Sequence, residues 1–171
     1  MRKTTIALAF LVAWFVAMPT GWAQKSDDKE HAELAKALKD AKVSLQRGMT
    51  ASAKEGKPIS AKYEMEEGKL QLSVYTMKGE KFSEVIVDYK TGKIAKADLI
   101  THDADLTAAK AQSEAMAKAK RSLDAAASEA LKDNTGYRAV SVMPSLKDGH
   151  PVAEVTLVKG ADWKTVSEKL D

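Results

Sequence analysis

The sequence predicts an α+β fold in which a long N-terminal helix packs on an antiparallel β-meander, and it predicts that this unit occurs twice. Three observations support the prediction. Residues 26–54 place apolar side chains three and four positions apart, which is typical of an amphipathic helix. Residues 59–100 alternate apolar and polar side chains in short runs separated by glycine-containing turns. The same order of elements starts again near residue 105.

The first residues are typical of an export signal. Arg2 and Lys3 precede the apolar run Ile6–Met18, and the small residues Gly21 and Ala23 follow it. This order indicates a Sec-type secretory signal peptide, and the run is shorter than the ~20 residues of a membrane-spanning helix. We expect cleavage after Ala23, a periplasmic or secreted bacterial protein, and no stable membrane anchor after cleavage. The alternative is an uncleaved membrane anchor.

Charge and composition exclude several classes of function. Removal of Arg2 and Lys3 from the 27 basic residues leaves 25 against 24 acidic residues. A chain with this balance and no basic cluster lacks the electrostatic footprint of a nucleic-acid-binding protein. The sequence contains no cysteine, which excludes disulfides, a thiol nucleophile, thiolate metal sites and haem attachment through cysteine.

The first helix is predicted over Ser26–Lys54. Ser26 is a suitable N-cap, because its hydroxyl can accept a hydrogen bond from a backbone N–H of the first turn. Gly56 and Pro58 end the helix, since glycine accepts a left-handed conformation and proline cannot continue a helix. The apolar stripe of this helix contains Leu34, Leu38, Ala41, Leu45 and Met49.

Four strands are predicted to follow. Strict alternation gives the first strand one apolar and one polar face. Glu64 and Glu66 lie on the polar face, which we expect to be solvated rather than to pair carboxylates for acid–base catalysis. The apolar face carries Ile59, Ala61, Tyr63 and Met65.

The second unit follows the same order. An alanine-rich helix is predicted over Leu106–Lys132, with Asp105 as its N-cap. This helix and the strand after it match the first unit at an offset of 78 positions. The later segment Val155–Val166 matches Val74–Val85 at an offset of 81, so a three-residue insertion is predicted within Pro144–Lys147.

These residues resemble the PepSY domain family, in two copies. The resemblance rests on the predicted helix and on the segment from Pro58 to Ile94, PISAKYEMEEGKLQLSVYTMKGEKFSEVIVDYKTGKI, with its D-x-x-T-G turn. It divides the chain into a signal peptide (residues 1–23), a first PepSY-like unit (residues 24–103) and a shorter, divergent second unit (residues 104–171). The second unit lacks a D-x-x-T-G turn.

The resemblance implies an exported, non-catalytic binding module in which helices pack on an antiparallel sheet. Similar domains occur in the propeptides of secreted metallopeptidases, so it also implies a protein or peptide partner, with inhibition or modulation of a periplasmic or secreted peptidase as the specific candidate. It implies no catalytic residues and no cofactor. The alternative function is a periplasmic sensor that binds a small ligand or a metal ion in a cleft between the units. Oligomeric state and the relative orientation of the units stay open.

The segment VDYKTGKI is predicted to be a structural turn built by Asp88, Thr91 and Gly92. Asp88 ends a strand, and its carboxylate can accept a backbone N–H about two residues further on. Gly92 supplies the left-handed conformation that a short hairpin loop commonly needs. Turns of this composition need no ligand.

Few residues suit metal binding or catalysis. His102, Asp103 and Asp105 form a local cluster of imidazole and carboxylate groups and are weak metal candidates, but their position before a helix favours capping. No P-loop, dinucleotide-binding, H-E-x-x-H or G-x-S-x-G motif occurs. The methionines lie on different predicted elements, so core filling accounts for them better than copper binding does.

Overall fold

A computed structural model describes the backbone of residues 23–171 and the side chains from residue 29 onward, except that of Asp103. Residues 1–22, which contain nearly all of the predicted signal peptide, lie outside the described residues. In the part of the chain that the structure describes, no helix is both long enough and apolar enough to cross a membrane.

The described chain forms four α-helices and seven β-strands, as the α+β prediction requires. The helices are α1 (Ala23–Ala37), α2 (Leu45–Ser52), α3 (Asp103–Lys118) and α4 (Leu123–Asp133), with a 3-10 turn at Leu38–Asp40. The strands are β1 (Lys57–Glu66), β2 (Lys69–Lys78), β3 (Lys81–Val87), β4 (Ile94–Leu99), β5 (Arg138–Lys147), β6 (His150–Lys159) and β7 (Asp162–Lys169).

All seven strands belong to one antiparallel sheet with the order β4-β3-β2-β1-β5-β6-β7. Two meanders, β1–β4 and β5–β7, meet where Ala61 pairs with Val142 and Lys62 pairs with Ser141. The two halves of the chain therefore share a continuous sheet through this β1–β5 junction.

The core lies on one face of this sheet. Five side chains in register across β3, β2, β1, β5 and β6 are completely buried: Val85, Val74, Ala61, Val142 and Val155. Helix α2 packs on the same face, where a Cβ atom at Gly48 would come within 2.7 Å of Leu72 Cδ2. Apolar burial on this scale is the main stabilising contribution to a fold that has no disulfides.

Helix α3 packs on the opposite face. Ser60, whose side chain points away from that of its neighbour Ala61, donates a 2.7 Å hydrogen bond from Oγ to Gln112 Oε1 of α3. Ala109 and Ala115 of α3 are buried, and their small side chains allow the helix to lie close to the strands. The sheet is thus covered on both faces.

The predicted long helices are wrong, because each is divided in two. The first leaves the helical conformation at Ala41, and the backbone N–H groups of Lys42 and Val43 donate to Tyr89 O instead. The second leaves it at Ala119, and Lys120 and Arg121 donate in the same way to Leu170 O. These acceptors lie far away in the sequence, so helical periodicity contains no sign of the breaks.

The predicted N-caps are also wrong. Helix α1 already includes Ser26, and α3 begins at Asp103 with His102 as its N-cap, so that Asp105 is the third residue of the helix. The N-caps whose side chains accept a capping hydrogen bond are Ser44 of α2 and Ser122 of α4. Their Oγ atoms accept 3.1 Å hydrogen bonds from Arg47 N and Ala125 N.

The predicted position of the three-residue insertion is wrong as well. Val142 pairs with Val155 as Ala61 pairs with Val74, so the offset of 81 already holds in β5. Helix α4 has 11 residues where α2 has 8, which puts the additional residues at the end of α4. The shift by three residues moves the side chains of this strand to the other face of the sheet, so that Val142 rather than Ser141 lies in the core.

Candidate functional site

The turn after β3 holds the backbone of Tyr89. Asp88 Oδ1 accepts hydrogen bonds from Lys90 N, Thr91 N and Thr91 Oγ1 at 3.0, 2.7 and 2.8 Å. Gly92 has φ +77° and donates its N–H to Asp88 O over 2.8 Å. The hydrogen bonds from Thr91, ahead of those from Lys90, lower the pKa of Asp88. The turn presents Tyr89 O to the N–H groups of Lys42 and Val43, which gives it a structural role.

The three weak metal candidates have different surroundings. His102 is exposed, and its side chain makes no capping hydrogen bond. Asp105 is only 7% exposed. Nothing is described for the Asp103 side chain. Among the side chains that the structure describes, no group of three or more His, Asp or Glu residues could hold a metal ion.

A cluster of polar side chains lies between α3 and the sheet. Ser73 is completely buried, and its Oγ donates a 2.8 Å hydrogen bond to Glu64 Oε1. Lys62 Nζ lies 2.5 Å from Glu64 Oε2. Tyr75 donates its hydroxyl to Glu84 Oε1 over 3.1 Å. We call Lys62, Glu64, Ser73, Tyr75 and Glu84 the polar cluster.

The polar cluster corrects the expectation of a solvated strand face. Only 21% of the Glu64 side chain is exposed, because α3 covers part of this face. Burial raises the pKa of Glu84, although the hydrogen bond from Tyr75 acts in the opposite direction. Burial also raises the pKa of Tyr75, and the charges of Glu84 and Glu64 raise it further. Ionised groups are therefore disfavoured here unless a cation accompanies them.

A cavity of about 330 Å³ adjoins the polar cluster at the start of α3. Its walls come from the β1–β2 hairpin, β3, β4 and the first turn of α3, including Gln71, Glu84, Ile86, Leu99 and Asp105. We call it the α3 cavity. Sequence reasoning missed it, because its carboxylates are spread over residues 66 to 105 and no local motif joins them.

A second, larger cavity of about 910 Å³ lies under α1. Its lining includes Lys36, Lys39, Arg138 and Lys159 but only one carboxylate, Asp162. The Arg138 guanidinium is already engaged, since it donates to three backbone carbonyls. The rings of His31 and Trp163, which also line this cavity, stack with their centroids 4.3 Å apart.

A third cavity, of about 470 Å³, lies between α2 and the α3–α4 connection. Met49 and Met116 both line it, so the structure brings together two methionines that are far apart in sequence. Both are buried, at 3% and 4% exposure, and belong to the hydrophobic core. Their packing agrees with a core-filling role.

The sheet ends in two edges. Strand β4 forms one, with Leu99 59% exposed and an ion pair between Lys96 and Asp98. Strand β7 forms the other, and within residues 23–171 no strand pairs with its outer side. Unpaired backbone N–H and C=O groups on an edge can accept an additional strand.

Comparison of the chain with protein-family models, with curated proteins and with solved structures found no match. Its function must therefore be inferred from the residues and geometry described above.

Proposed function

We propose that this chain is an exported, non-catalytic binding module of two PepSY-like units, residues 24–103 and 104–171, that holds an extended segment of a protein partner against β7. The partner class that we propose is a periplasmic or secreted peptidase, which the module inhibits or modulates without chemistry of its own. The free outer edge of β7 carries the proposal.

Matching details in the two halves support the division into two units. Ser44 and Ser122 cap equivalent helices, and the residues before them donate to Tyr89 O and Leu170 O. The β1–β2 and β5–β6 turns both have positive φ angles at two successive residues, Glu67-Gly68 and Asp148-Gly149. Both first strands also carry an irregularity near their start, at residues 58–60 and 139–141.

The equivalence of β3 and β7 indicates what the free edge lacks. Val85 of β3 pairs with Val74, and Val166 of β7 pairs with Val155 in the same register. The other side of β3 is covered by β4, with Phe82 O accepting a 2.9 Å hydrogen bond from Ile100 N. No strand occupies that position on β7 among the described residues.

The residues of β7 that present free backbone groups follow from this pairing. A two-residue loop joins β6 to β7, so Lys159 and Asp162 form a hydrogen-bonded pair. Pairs then alternate along an antiparallel ladder, which directs the N–H and C=O groups of Trp163, Thr165 and Ser167 outward. An extended peptide can use them by strand addition, with affinity from the main chain and specificity from alternate side chains.

Proline substitution on each edge tests the proposal. Thr165→Pro removes an outward N–H of β7 and leaves the backbone hydrogen bonds to β6 intact, because proline is tolerated on the outer side of an edge strand. It also removes the exposed hydrogen bond between the hydroxyls of Thr165 and Thr156. Ala97→Pro is the matched control, since Ala97 has its N–H on the outer side of β4. The full chain is exported with a C-terminal affinity tag and recovered from native periplasm, and bound proteins are quantified by mass spectrometry.

We expect a peptidase that is enriched by the wild type and by Ala97→Pro and lost with Thr165→Pro, and whose activity falls when wild-type protein is added. Equal enrichment by both proline variants, or no enrichment of any peptidase by the wild type, contradicts the proposal. A second copy of the chain is the other molecule that could cover β7, and light scattering tests for it. If the wild type is a dimer and Thr165→Pro is a monomer, a second copy rather than a peptidase covers β7. The mass of the recovered chain tests export, with Gln24 as the expected first residue.

A small-ligand function is the second candidate, and the α3 cavity favours it. The cavity lies at the opposite end of the sheet from β7, so the two proposals concern different surfaces and do not exclude each other.

A further inference from the structure

The α3 cavity has a strongly negative lining. Five carboxylates and one lysine line it, together with His102: Glu66, Glu67, Glu84, Asp98, Asp105 and Lys96. The lysine is already paired, because Lys96 forms an ion pair with Asp98. Among the described residues, none of the other four carboxylates forms an ion pair, although Glu84 accepts the hydroxyl of Tyr75 and lies near enough to Lys96 for their charges to interact.

Asp105 provides an observation that is independent of this charge count. The residue is more than nine-tenths buried, with 7% exposure, and it lines the cavity. Among the described residues, Asp105 Oδ1 is the buried side-chain nitrogen or oxygen atom that has no hydrogen-bond partner. A buried acceptor that lacks a donor costs free energy in the folded state, and it points to a donor supplied from outside the chain.

We propose that the α3 cavity binds a small organic cation with primary ammonium groups, one of which donates to Asp105. An ammonium group carries three N–H donors and a positive charge, which match the unpartnered oxygen and the carboxylates around it. A diamine matches better than a monoamine, because the remaining carboxylates, Glu66, Glu67 and Glu84, are distributed around the cavity. Its volume of about 330 Å³ falls at the lower end of the range of small-molecule sites.

Other ligand classes fit the cavity less well. A divalent metal ion needs several oxygen ligands converging at about 2.0–2.6 Å, and the described side chains offer no such group. An anion would be repelled by the carboxylates of Glu66, Glu67, Glu84 and Asp105. Lys62 and His102 lie near enough to Asp105 for their charges to act on it, and Lys62 also forms an ion pair with Glu64.

Titration calorimetry of the full exported chain with 1,4-diaminobutane tests this proposal. Butane-1,4-diol is the neutral control of equal length, and calcium chloride is the control for a metal site. Asp105→Asn is the test variant, because it keeps the shape of the side chain and removes its charge. Asp124→Asn is the matched control, since Asp124 is an exposed aspartate in the first turn of α4, away from the cavity.

We expect saturable binding of the diamine by the wild type and by Asp124→Asn, and an affinity at least about 10-fold lower for Asp105→Asn, as for the loss of a charge-assisted hydrogen bond. Three results would overturn the proposal: no saturable heat with the diamine, equal affinity of the two variants, or binding of calcium or the diol in its place. If Asp105→Asn does not fold, Glu84→Gln is used with the same expectation. Thr165→Pro should bind the diamine normally, so failure at β7 and failure at this cavity are distinguishable.

Discussion

The guanidinium group of Arg138, at the start of β5, donates a 2.7 Å hydrogen bond to the carbonyl oxygen of Val43, just before α2. The same group donates to Leu38 O and Ala41 O at 3.0 and 2.9 Å. Tyr63 donates its hydroxyl to Val43 O as well, over 2.5 Å. One arginine from the second half of the chain thus donates to three carbonyl groups at the break between the helices of the first half.

Replacement of Arg138 should destabilise the protein. Arg138→Met removes a charged donor from all three carbonyl groups. Val43 O keeps the Tyr63 hydroxyl and Leu38 O keeps the N–H of Ala41, whereas Ala41 O loses its donor. We therefore expect the free energy of unfolding to fall by about 1–3 kcal/mol. Arg138→Lys should recover only part of the loss, because an ammonium group lacks the planar fork of guanidinium. Urea denaturation measures both. Lys147→Met, at an exposed position at the far end of β5, is the control, and an equal loss there would refute this role for Arg138.

Replacement of Asp88 should loosen the start of α2. Asp88→Ala removes the acceptor that fixes Thr91 and Lys90, so the carbonyl of Tyr89 is no longer held in place. We expect faster amide hydrogen exchange at Lys42 and Val43, measured by NMR. The equivalent amides of Lys120 and Arg121 donate to Leu170 O and serve as an internal control. If the exchange rates of both pairs rise equally, the effect is global and the proposed role of the turn is wrong.

Asp105 should make the stability of the protein decrease as pH rises. Burial raises its pKa above the ordinary 3.8, although the charges of His102 and Lys62 act in the opposite direction. The folded state therefore binds more protons than the unfolded state above pH 3.8, and stability is lost as pH rises from there through the raised pKa. Asp105→Asn should remove this loss and be more stable than the wild type at pH 7 by about 1 kcal/mol. The difference is no larger because the N-terminus of α3 offsets part of the cost of the buried charge in the wild type.

Urea denaturation between pH 4 and pH 7 measures this difference for the wild type, Asp105→Asn and Asp124→Asn. Glu84 also has a raised pKa and contributes the same slope to all three proteins, so only the difference between them reports on Asp105. A wild-type protein that is more stable than Asp105→Asn throughout this range would contradict the prediction. Added 1,4-diaminobutane should reduce the difference in free energy of unfolding between Asp105→Asn and the wild type at pH 7, because it binds the wild type more tightly.

Gly56→Ala should destabilise the protein, although replacing a glycine commonly stabilises a fold by reducing the entropy of the unfolded chain. A Cβ atom there would come within 2.7 Å of Met77 O and 2.9 Å of Met77 C, which belong to the backbone of β2. Backbone atoms cannot rotate away, so we expect Gly56→Ala to lower the free energy of unfolding by about 1–3 kcal/mol. Thermal unfolding of Gly56→Ala beside Lys57→Ala, an exposed neighbour, checks this. Equal midpoints for the two variants would show that β2 can move.

The candidate site shows why sequence reasoning could find only part of it. The sequence predicts Asp105 to be a helix cap and a weak metal candidate. The structure instead buries Asp105 in the lining of a cavity that Glu84 and the β1–β2 hairpin also line, and these residues are far apart in the sequence. Lys62, Ser73 and Tyr75 alternate with apolar residues, and this pattern predicts a solvated face. In the structure α3 packs on that face and covers part of it.

The sequence by itself determined the local structure of this protein. Alternation of side chains produced the strands and the apolar face of Ala61, Tyr63 and Met65, and turn chemistry produced the hairpin at Asp88 and Gly92. Both effects act between residues only a few positions apart. Only the tertiary structure decided where the helices break, that β1 and β5 join two meanders into one sheet, and that α3 buries Asp105. Each of these depends on hydrogen bonds or packing between distant residues, such as Lys42 with Tyr89, which no local pattern records.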